Sequence, residues 1–282
     1  PDGNPRAAAR QLFELKTHGT LGGMPVTNPR IVEEAQQAWE TLKQAQPLLE
    51  ENLSYALPPA FPVITPGVKP GRLLLMRHGE TDRSESVANQ WTGWHDAKVT
   101  RNGREEARKA GARLEGTLHV DAVYASTLSR AVDTLDEGLR GMGQDGLPIT
   151  QASELRERTY GFLIGWRRSL VEAAFGHEQF LSWRRGYDQD RDRPPGAENL
   201  ADTQERTLPY FVENILRRVL AGETVAVSAH GNSSRAILIY LTKHTLGRAL
   251  TEEEIRNLEV TRSTPIVVTF DEQGRHRELW LA

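Results

Sequence analysis

Two stretches hold the residues best suited to chemistry. Leu73-Leu74-Leu75-Met76-Arg77-His78-Gly79-Glu80-Thr81 is an apolar run of strand length that delivers Arg-His-Gly to the place where the strand ends. Strand ends in α/β proteins are where ligands bind. Thr224-Val225-Ala226-Val227-Ser228-Ala229-His230-Gly231-Asn232-Ser233 repeats the design, with a helix start after the His-Gly pair. A lone strand-end histidine is most often structural. Two of them suggest a paired site. A neutral imidazole held at one ring nitrogen presents the other as a nucleophile, and attack on a phosphate would give a phosphohistidine.

The arginines support that chemistry. Ala122-Val123-Tyr124-Ala125-Ser126-Thr127-Leu128-Ser129-Arg130 is another strand, turn and helix start, with Arg130 in the first helical turns, and Trp183-Arg184-Arg185-Gly186 adds a basic pair. A guanidinium is always charged and grips phosphate bidentately, so arginines converging on strand ends imply a phosphate or carboxylate ligand. The helix after His230 is expected to offer free backbone N–H groups to the same anion. Glu80, Asp82, Glu154 and Glu157 are the candidates for moving the substrate's proton. Glu157 sits in a turn-rich segment suited to a site edge, where a neighbouring phosphate would raise its pKa towards a useful range. A metal held by His78, Glu80, Asp82 and His230 finds no HExxH-type spacing, so none is expected. Residue types and spacing thus reach a histidine-based phosphoryl-transfer enzyme and no further.

These residues need a scaffold. The chain has 282 residues, of which 26% are charged and 38% hydrophobic, the make-up of an ordinary globular protein large enough for a sizeable core. A formal charge of -3 gives no general attraction to nucleic acid or anionic lipid. Cysteine is absent, which removes disulfides, thiol nucleophiles and Cys-bound zinc. No apolar run is long enough for a membrane-spanning helix and no signal-peptide core opens the chain, so a cytoplasmic setting is expected. The first residue is Pro1, which leaves room for a removed presequence or upstream domain.

From Arg72 onward short apolar strands alternate with helical stretches, the signature of an α/β sheet. Strands are predicted at 72–77, 121–125, 223–229, 265–270 and 277–281. Helices are predicted at 101–115, 128–140, 168–184, 199–221 and 231–247. Before that region, residues 1–56 read as a helical extension, since Asn4-Pro5 and Asn28-Pro29 both look like an N-cap followed by a first-turn proline. Two short helices bury little alone, so they would pack on the main domain, on a second copy of the chain or on a partner. Residues 57–71 contain Pro58, Pro59, Pro62, Pro66 and Pro70, the composition of a semi-rigid linker. The catalytic domain is expected over 72–282.

The ordered motifs in that domain resemble the cofactor-dependent phosphoglycerate mutases of the histidine phosphatase superfamily. Arg77-His78-Gly79-Glu80 looks like the family's RHGE motif, whose histidine becomes phosphorylated. Asn89-Gln90-Trp91-Thr92-Gly93-Trp94 is similar to N-x-F-T-G-W, and Ser126-Thr127-Leu128-Ser129-Arg130-Ala131 to S-x-L-x-R-A with its phosphate-binding arginine. Glu157-Arg158-Thr159-Tyr160-Gly161 resembles E-R-H-Y-G, whose glutamate is the proton donor. Trp183-Arg184-Arg185 matches the substrate-holding W-R-R, and His230-Gly231-Asn232-Ser233 the second catalytic histidine.

The resemblance implies a three-layer α/β/α sandwich with a mostly parallel central sheet, carrying the N-terminal helical extension. It implies 2,3-bisphosphoglycerate as the phosphoryl primer, no metal, and a small phosphorylated metabolite as substrate, isomerised between 3- and 2-phosphoglycerate. His78 would be the nucleophile, Arg77, Arg130 and His230 would stabilise the phosphoryl group, and Glu157 would exchange the proton. Tyr160, Arg168, Arg184 and Arg185 would hold the carboxylate or second phosphate, with Thr81, Asn89, Thr92, Gly93, Gly231 and Asn232 completing the substrate site.

Several positions depart from the family. Thr81-Asp82-Arg83-Ser84-Glu85-Ser86 lacks the Trp-Asn whose asparagine helps hold the phosphate, and Asp82 and Glu85 would repel an anion. Val260-Thr261-Arg262-Ser263-Thr264-Pro265 stands where the family has I-P-T-G-x-P, and Thr159 replaces the motif histidine. A phosphatase of the same superfamily is therefore the second expectation, because an open site admits water to a phosphoenzyme. The third is a binding or scaffold module that has lost turnover.

Overall fold

A computed structural model of the chain describes residues 20–21, 24–25, 58–187 and 193–281. It divides into two compact units. The larger comprises residues 56–82, 96–158 and 200–282, the smaller 1–55, 83–95 and 159–199.

The larger unit is built on a six-stranded sheet. Its strands are β1 (Arg72–Arg77), β2 (Ala122–Ser126), β3 (Ile149–Ala152), β4 (Thr224–Ala229), β5 (Pro265–Phe270) and β6 (His276–Leu281), in the spatial order β3-β2-β4-β1-β5-β6. The first four of that order run parallel, while β5 pairs antiparallel with both β1 and β6. β1 lies inside the sheet, and Leu73, Leu74, Leu75 and Met76 are all buried, as a strand covered on both faces requires. Alternation sends these side chains to opposite faces. Leu73 and Leu75 join one apolar cluster with Phe211, Ile215, Ile237 and Leu241. Leu74 joins another with Leu114, Leu135 and Leu139. Helices therefore cover both faces, giving the expected three layers.

The cover on the second face is α1 (Arg101–Ala112) and α2 (Ser129–Gly141), the latter placing Arg130 directly beyond the end of β2. These two helices touch backbone to backbone: a Cβ on Gly111 would lie 2.0 Å from the Gly138 carbonyl oxygen. Thr100 caps α1 by accepting from the Gly103 amide at 3.0 Å.

In the smaller unit, the helix expected over 168–184 is two, α3 (Arg168–Phe175) and α4 (His177–Arg185), because Gly176 between them takes φ 83°. Back in the larger unit, the helical stretch after residue 199 begins as α5 (Leu200–Tyr210). It widens into a π-helical segment at Phe211–Leu216, just after Pro209 removes a backbone donor, and ends as α6 (Arg217–Leu220). Helix α7 (Gly231–Leu246) follows β4. Two elements escaped the sequence reading. β3 is a short edge strand of mixed polarity, and α8 (Glu252–Asn257) is a short acidic helix announced by a Thr251/Glu254 capping box.

Residues 58–71 form no helix or strand before β1. The Tyr240 hydroxyl donates to the Pro59 carbonyl at 3.1 Å and the Gly71 amide to the Val219 carbonyl at 2.7 Å, so this stretch is tied to α7 and α6. The helices expected over 1–56 lie outside the described residues. Within that range the structure gives an antiparallel pairing of Thr20–Leu21 with Met24–Pro25. Among the described residues no helix is long and apolar enough to cross a membrane.

Candidate active site

β1 and β4 are parallel neighbours with Arg77 opposite Ala229, so the residues after each strand emerge side by side. The His78 amide donates to the Ala229 carbonyl at 3.1 Å, one step beyond the ladder. The imidazoles of His78 and His230 meet with ring centroids 5.1 Å apart at 54°. Both are buried. Gly79 makes the turn possible, because a Cβ there would lie 2.8 Å from the Gly103 carbonyl oxygen.

The two rings are held in the neutral form. His78 Nδ1 donates to the Gly79 carbonyl at 2.8 Å, which fixes the tautomer and leaves Nε2 with its lone pair. Burial, followed by the charges of Arg130, Arg77 and Arg262, pulls the His78 pKa well below 6.5 although the Gly79 contact opposes the shift. The same cause dominates at His230, where burial and then Arg130 and His78 depress the pKa. Neither ring nitrogen of His230 finds a hydrogen-bond partner among the described residues. Such orphaned buried atoms are rare in folded proteins and suit a group that arrives from solution.

Arg130 is completely buried. Burial lowers its pKa to about 10, against the opposing pull of Glu157 and Asp96, so it stays charged at neutral pH. Thr134 supplies a support that the sequence reading missed. Its hydroxyl donates to the Arg130 carbonyl at 2.7 Å and accepts from the Gly79 amide at 2.9 Å, joining α2 to the turn after β1. A threonine one helical turn after an arginine carries no distinctive signal in a single sequence.

Of the four acidic candidates, Glu157 alone joins the histidines. One ligand atom from each of His78, Glu157 and His230 lies within 4.8 Å of the others. The Glu157 carboxylate accepts from the amides of Arg158 (2.9 Å), Gly231 (3.1 Å) and Asn232 (3.0 Å), and from Asn232 Nδ2 (3.0 Å). The expectation of free amides at the start of α7 is thereby corrected: a carboxylate of this chain already occupies the positive end of that helix. Gly231 and Asn232 hold Glu157. Arg206 on α5 holds the same turn from behind, donating to the carbonyls of Glu154 (2.7 Å), Arg156 (3.0 Å) and Glu157 (2.9 Å). Sequence reasoning missed Arg206 too, since its partners are all backbone. Glu80 and Asp82 have other duties, Glu80 accepting from the Thr100 hydroxyl at 2.8 Å and Asp82 from the Lys98 amide at 3.2 Å. Thr81 is buried and bridges to Val99.

On distance alone the two histidines and Glu157 would suit a divalent cation. The surrounding charge argues otherwise. Arg77, Arg130 and Arg262 all act on the His78 ring, and a field of that sign repels a cation and attracts an anion. Two imidazoles, the buried guanidinium of Arg130, the half-buried ones of Arg77 and Arg262, and a carboxylate are residue types that can hold a phosphate and offer it a nucleophile and a proton carrier.

The remaining predicted residues belong to the smaller unit. Its core is aromatic, with Trp91, Trp166, Phe180 and Trp183 buried together with Leu163 and Val171. Tyr160 sets its ring edge-on to Trp91 at 4.5 Å. Asn89, at φ 49°, accepts the Arg168 amide at 2.8 Å on its carbonyl. Thr92 and Gly93 follow Trp91, and Gly93 also takes φ 49°. Arg168 and Arg184 converge on the Glu85 carboxylate at 3.6 and 3.5 Å, while Arg185 ends α4 beside them in sequence.

Known proteins share this arrangement of sequence and fold. The model of the histidine phosphatase superfamily (branch 1) matches residues 73–280. A 2,3-bisphosphoglycerate-dependent phosphoglycerate mutase of Parvibaculum lavamentivorans is 40% identical over 206 residues, 73% of this chain and 93% of the relative. One of Xanthobacter autotrophicus is 43% identical over 196 residues, 69% and 89% of the two chains. Among solved structures, Bacillus stearothermophilus YhfR aligns with TM-score 0.59 at 25% identity, covering 73% of this chain and 94% of its own. The mycobacterial glucosyl-3-phosphoglycerate phosphatase complexed with VO3 aligns with TM-score 0.60 at 23% identity, covering 75% and 99%, a likeness of fold.

Proposed function

The chain belongs to the histidine phosphatase superfamily and is an enzyme of it, and we propose that it is a 2,3-bisphosphoglycerate-dependent phosphoglycerate mutase interconverting 3- and 2-phosphoglycerate through a phosphohistidine. The observation that carries this reading is the meeting of His78 and His230. The His78 Nδ1 proton is committed to the Gly79 carbonyl at 2.8 Å, and its ring centroid lies 5.1 Å from that of His230, with the charges of buried Arg130 and half-buried Arg77 acting on it. The relatives named as mutases, at 40% and 43% identity, support the choice of reaction.

The residues divide the work as follows. His78 Nε2 attacks phosphorus, forming a P–N bond as the P–O bond to the substrate breaks. The departing oxygen takes a proton from Glu157 in its acid form. In the other half-reaction the free hydroxyl of a bound monophosphoglycerate attacks the phosphorus carried by His78, the P–N bond breaks, the Glu157 carboxylate takes the hydroxyl proton, and the bisphosphoglycerate so formed returns its other phosphoryl group to His78. Arg77, Arg130 and His230 stabilise the charge on the phosphoryl oxygens throughout. The orphaned nitrogens of His230 and the excess of cations suit a bisphosphoglycerate, which supplies the first phosphoryl group when bound. Tyr160, Arg168, Arg184 and Arg185 are proposed to hold the rest of the substrate anion.

A second reading has a specific basis in the sequence. The segment 81–86 lacks the Trp-Asn of the mutases, and a looser grip on the phosphoryl group would let water accept it, making the enzyme a phosphatase. Incubation with 3-phosphoglycerate and a trace of 2,3-bisphosphoglycerate separates the two. The mutase reading expects 2-phosphoglycerate at a rate far above release of inorganic phosphate. Free phosphate as the main product would replace it with the phosphatase.

A further inference from the structure

The turn after α8 runs past the end of β1 and brings one more cation to His78. Arg77 fastens that turn on both sides, since its guanidinium Nη1 donates to the Val260 carbonyl at 2.8 Å and its own carbonyl accepts the Ser263 amide at 3.1 Å. Residues 77 and 262 form an isolated parallel bridge. Ser263 is held at φ 55°, a left-handed conformation that disfavours a residue with a Cβ and that the family's glycine at this position would adopt freely. The chain keeps this strained turn with Arg262 at the position of the family's neutral threonine.

Arg262 is half-buried. Arg104, Arg140 and Arg248 of the same unit each pair with a carboxylate. Among the described residues the Arg262 guanidinium meets no carboxylate. Its charge acts instead on the His78 imidazole, with the charges of Arg130 and Arg77. A guanidinium partly withdrawn from water, carried on a turn fastened to the end of β1 and lacking an acidic partner is suited to an anion.

We propose that Arg262 is a further phosphate-binding residue, completing with Arg77 and Arg130 the cationic grip on the phosphoryl group that His78 accepts. The proposal rests on the phosphohistidine reading and deepens it. The asparagine that helps hold the phosphate in the mutases is missing from segment 81–86. Arg262 supplies charge-assisted hydrogen bonds to that group from the turn at 260–263.

Binding of inorganic phosphate and of orthovanadate, measured by calorimetry on the full chain, tests the assignment without requiring turnover. The variants are Arg262→Ala, Arg262→Lys and, as a control, Arg140→Ala, whose guanidinium is engaged by Asp136 and Glu137 at the far end of α2. Arg262→Ala is expected to weaken both anions by about tenfold or more. Arg262→Lys should recover part of the loss, because it keeps the charge and gives up the planar fork, while Arg140→Ala should match the parent. An Arg262→Ala affinity within about twofold of the parent, or an equal loss in Arg140→Ala, overturns the proposal. If the alanine variant does not fold, the lysine variant decides: parental affinities for both anions would overturn it. A parent that binds phosphate through Arg262 yet takes no label on His78 would overturn the phosphohistidine reading and leave the anion site standing.

Discussion

The two units present their charged residues in opposite ways. In the larger one, His78, His230, Arg130 and Glu157 are buried, and backbone groups hold them: the Gly79 carbonyl, the Ala229 carbonyl, and the amides of Gly231 and Asn232. In the smaller one, Arg168 and Arg184 face Glu85, whose side chain is 64% exposed, across 3.5 to 3.6 Å. Buried groups fixed by a sheet have little freedom to reorganise when charge develops, which is the condition for electrostatic catalysis. Ion pairs whose carboxylate is exposed are weak and exchange partners easily. The difference between the two sets is therefore one of how far each side chain is fixed.

Substitutions in the fixed set should cost most. His78→Ala is expected to lower kcat on the order of 10⁶-fold, as removal of a covalent nucleophile does, with little change in the unfolding midpoint. Steady-state assays beside thermal unfolding check both halves, and retention of a tenth of parental activity would break the distinction. Glu157→Gln should reduce kcat by about 10² to 10⁴-fold, the usual contribution of a positioned acid or base.

Thr134→Val removes the hydroxyl that joins the Gly79 amide to the Arg130 carbonyl. Leaving the buried Gly79 amide unpaired should cost about 1 to 3 kcal/mol in denaturant unfolding. Activity should fall as well, because the turn holding His78 loses its tie to α2.

The pH response separates the units in a different way. His78 and His230 have folded-state pKa values well below the ordinary 6.5. At pH 7 both states are neutral at these positions, so nothing is lost. As the pH falls below about 6.5 the unfolded chain takes up protons that the folded chain refuses. Stability should therefore decline from about pH 6.5 down to the depressed values, and His230→Gln should flatten that slope in unfolding measured from pH 7.5 to 5. An unchanged slope would mean that the ring is not held neutral.

At the smallest end, Glu85→Ala should change stability by less than about 1 kcal/mol, since the Glu85 carboxylate is exposed. It should lower KM for the substrate anion by removing a carboxylate that competes for Arg168 and Arg184. A raised KM would show that Glu85 positions these arginines and does not compete for them.

Much of the catalytic unit was legible because its signals are local. An apolar run ending in Arg-His-Gly must be a buried strand, and two such runs in one sheet place their histidines together once they are neighbours. β1 was read with the bounds it has, as was β5. Other features escaped because their causes are distant in the chain. Arg206 acts on carbonyls about 50 positions away, and the first amides of α7 go to Glu157 only because the 153–158 turn folds back to them. The division into units was equally hidden, since the smaller one draws on separate stretches at 83–95 and 159–199. Composition does not change at those crossings.

The central claim is that His78 carries the phosphoryl group. Incubation with 2,3-bisphosphoglycerate labelled on phosphorus, followed by alkaline quench and peptide mapping, tests it most directly. The account predicts an acid-labile, base-stable label on the peptide containing His78, absent from His78→Ala and chased off by 3-phosphoglycerate. A label on another residue, or turnover of the substrate with no label at all, would contradict it.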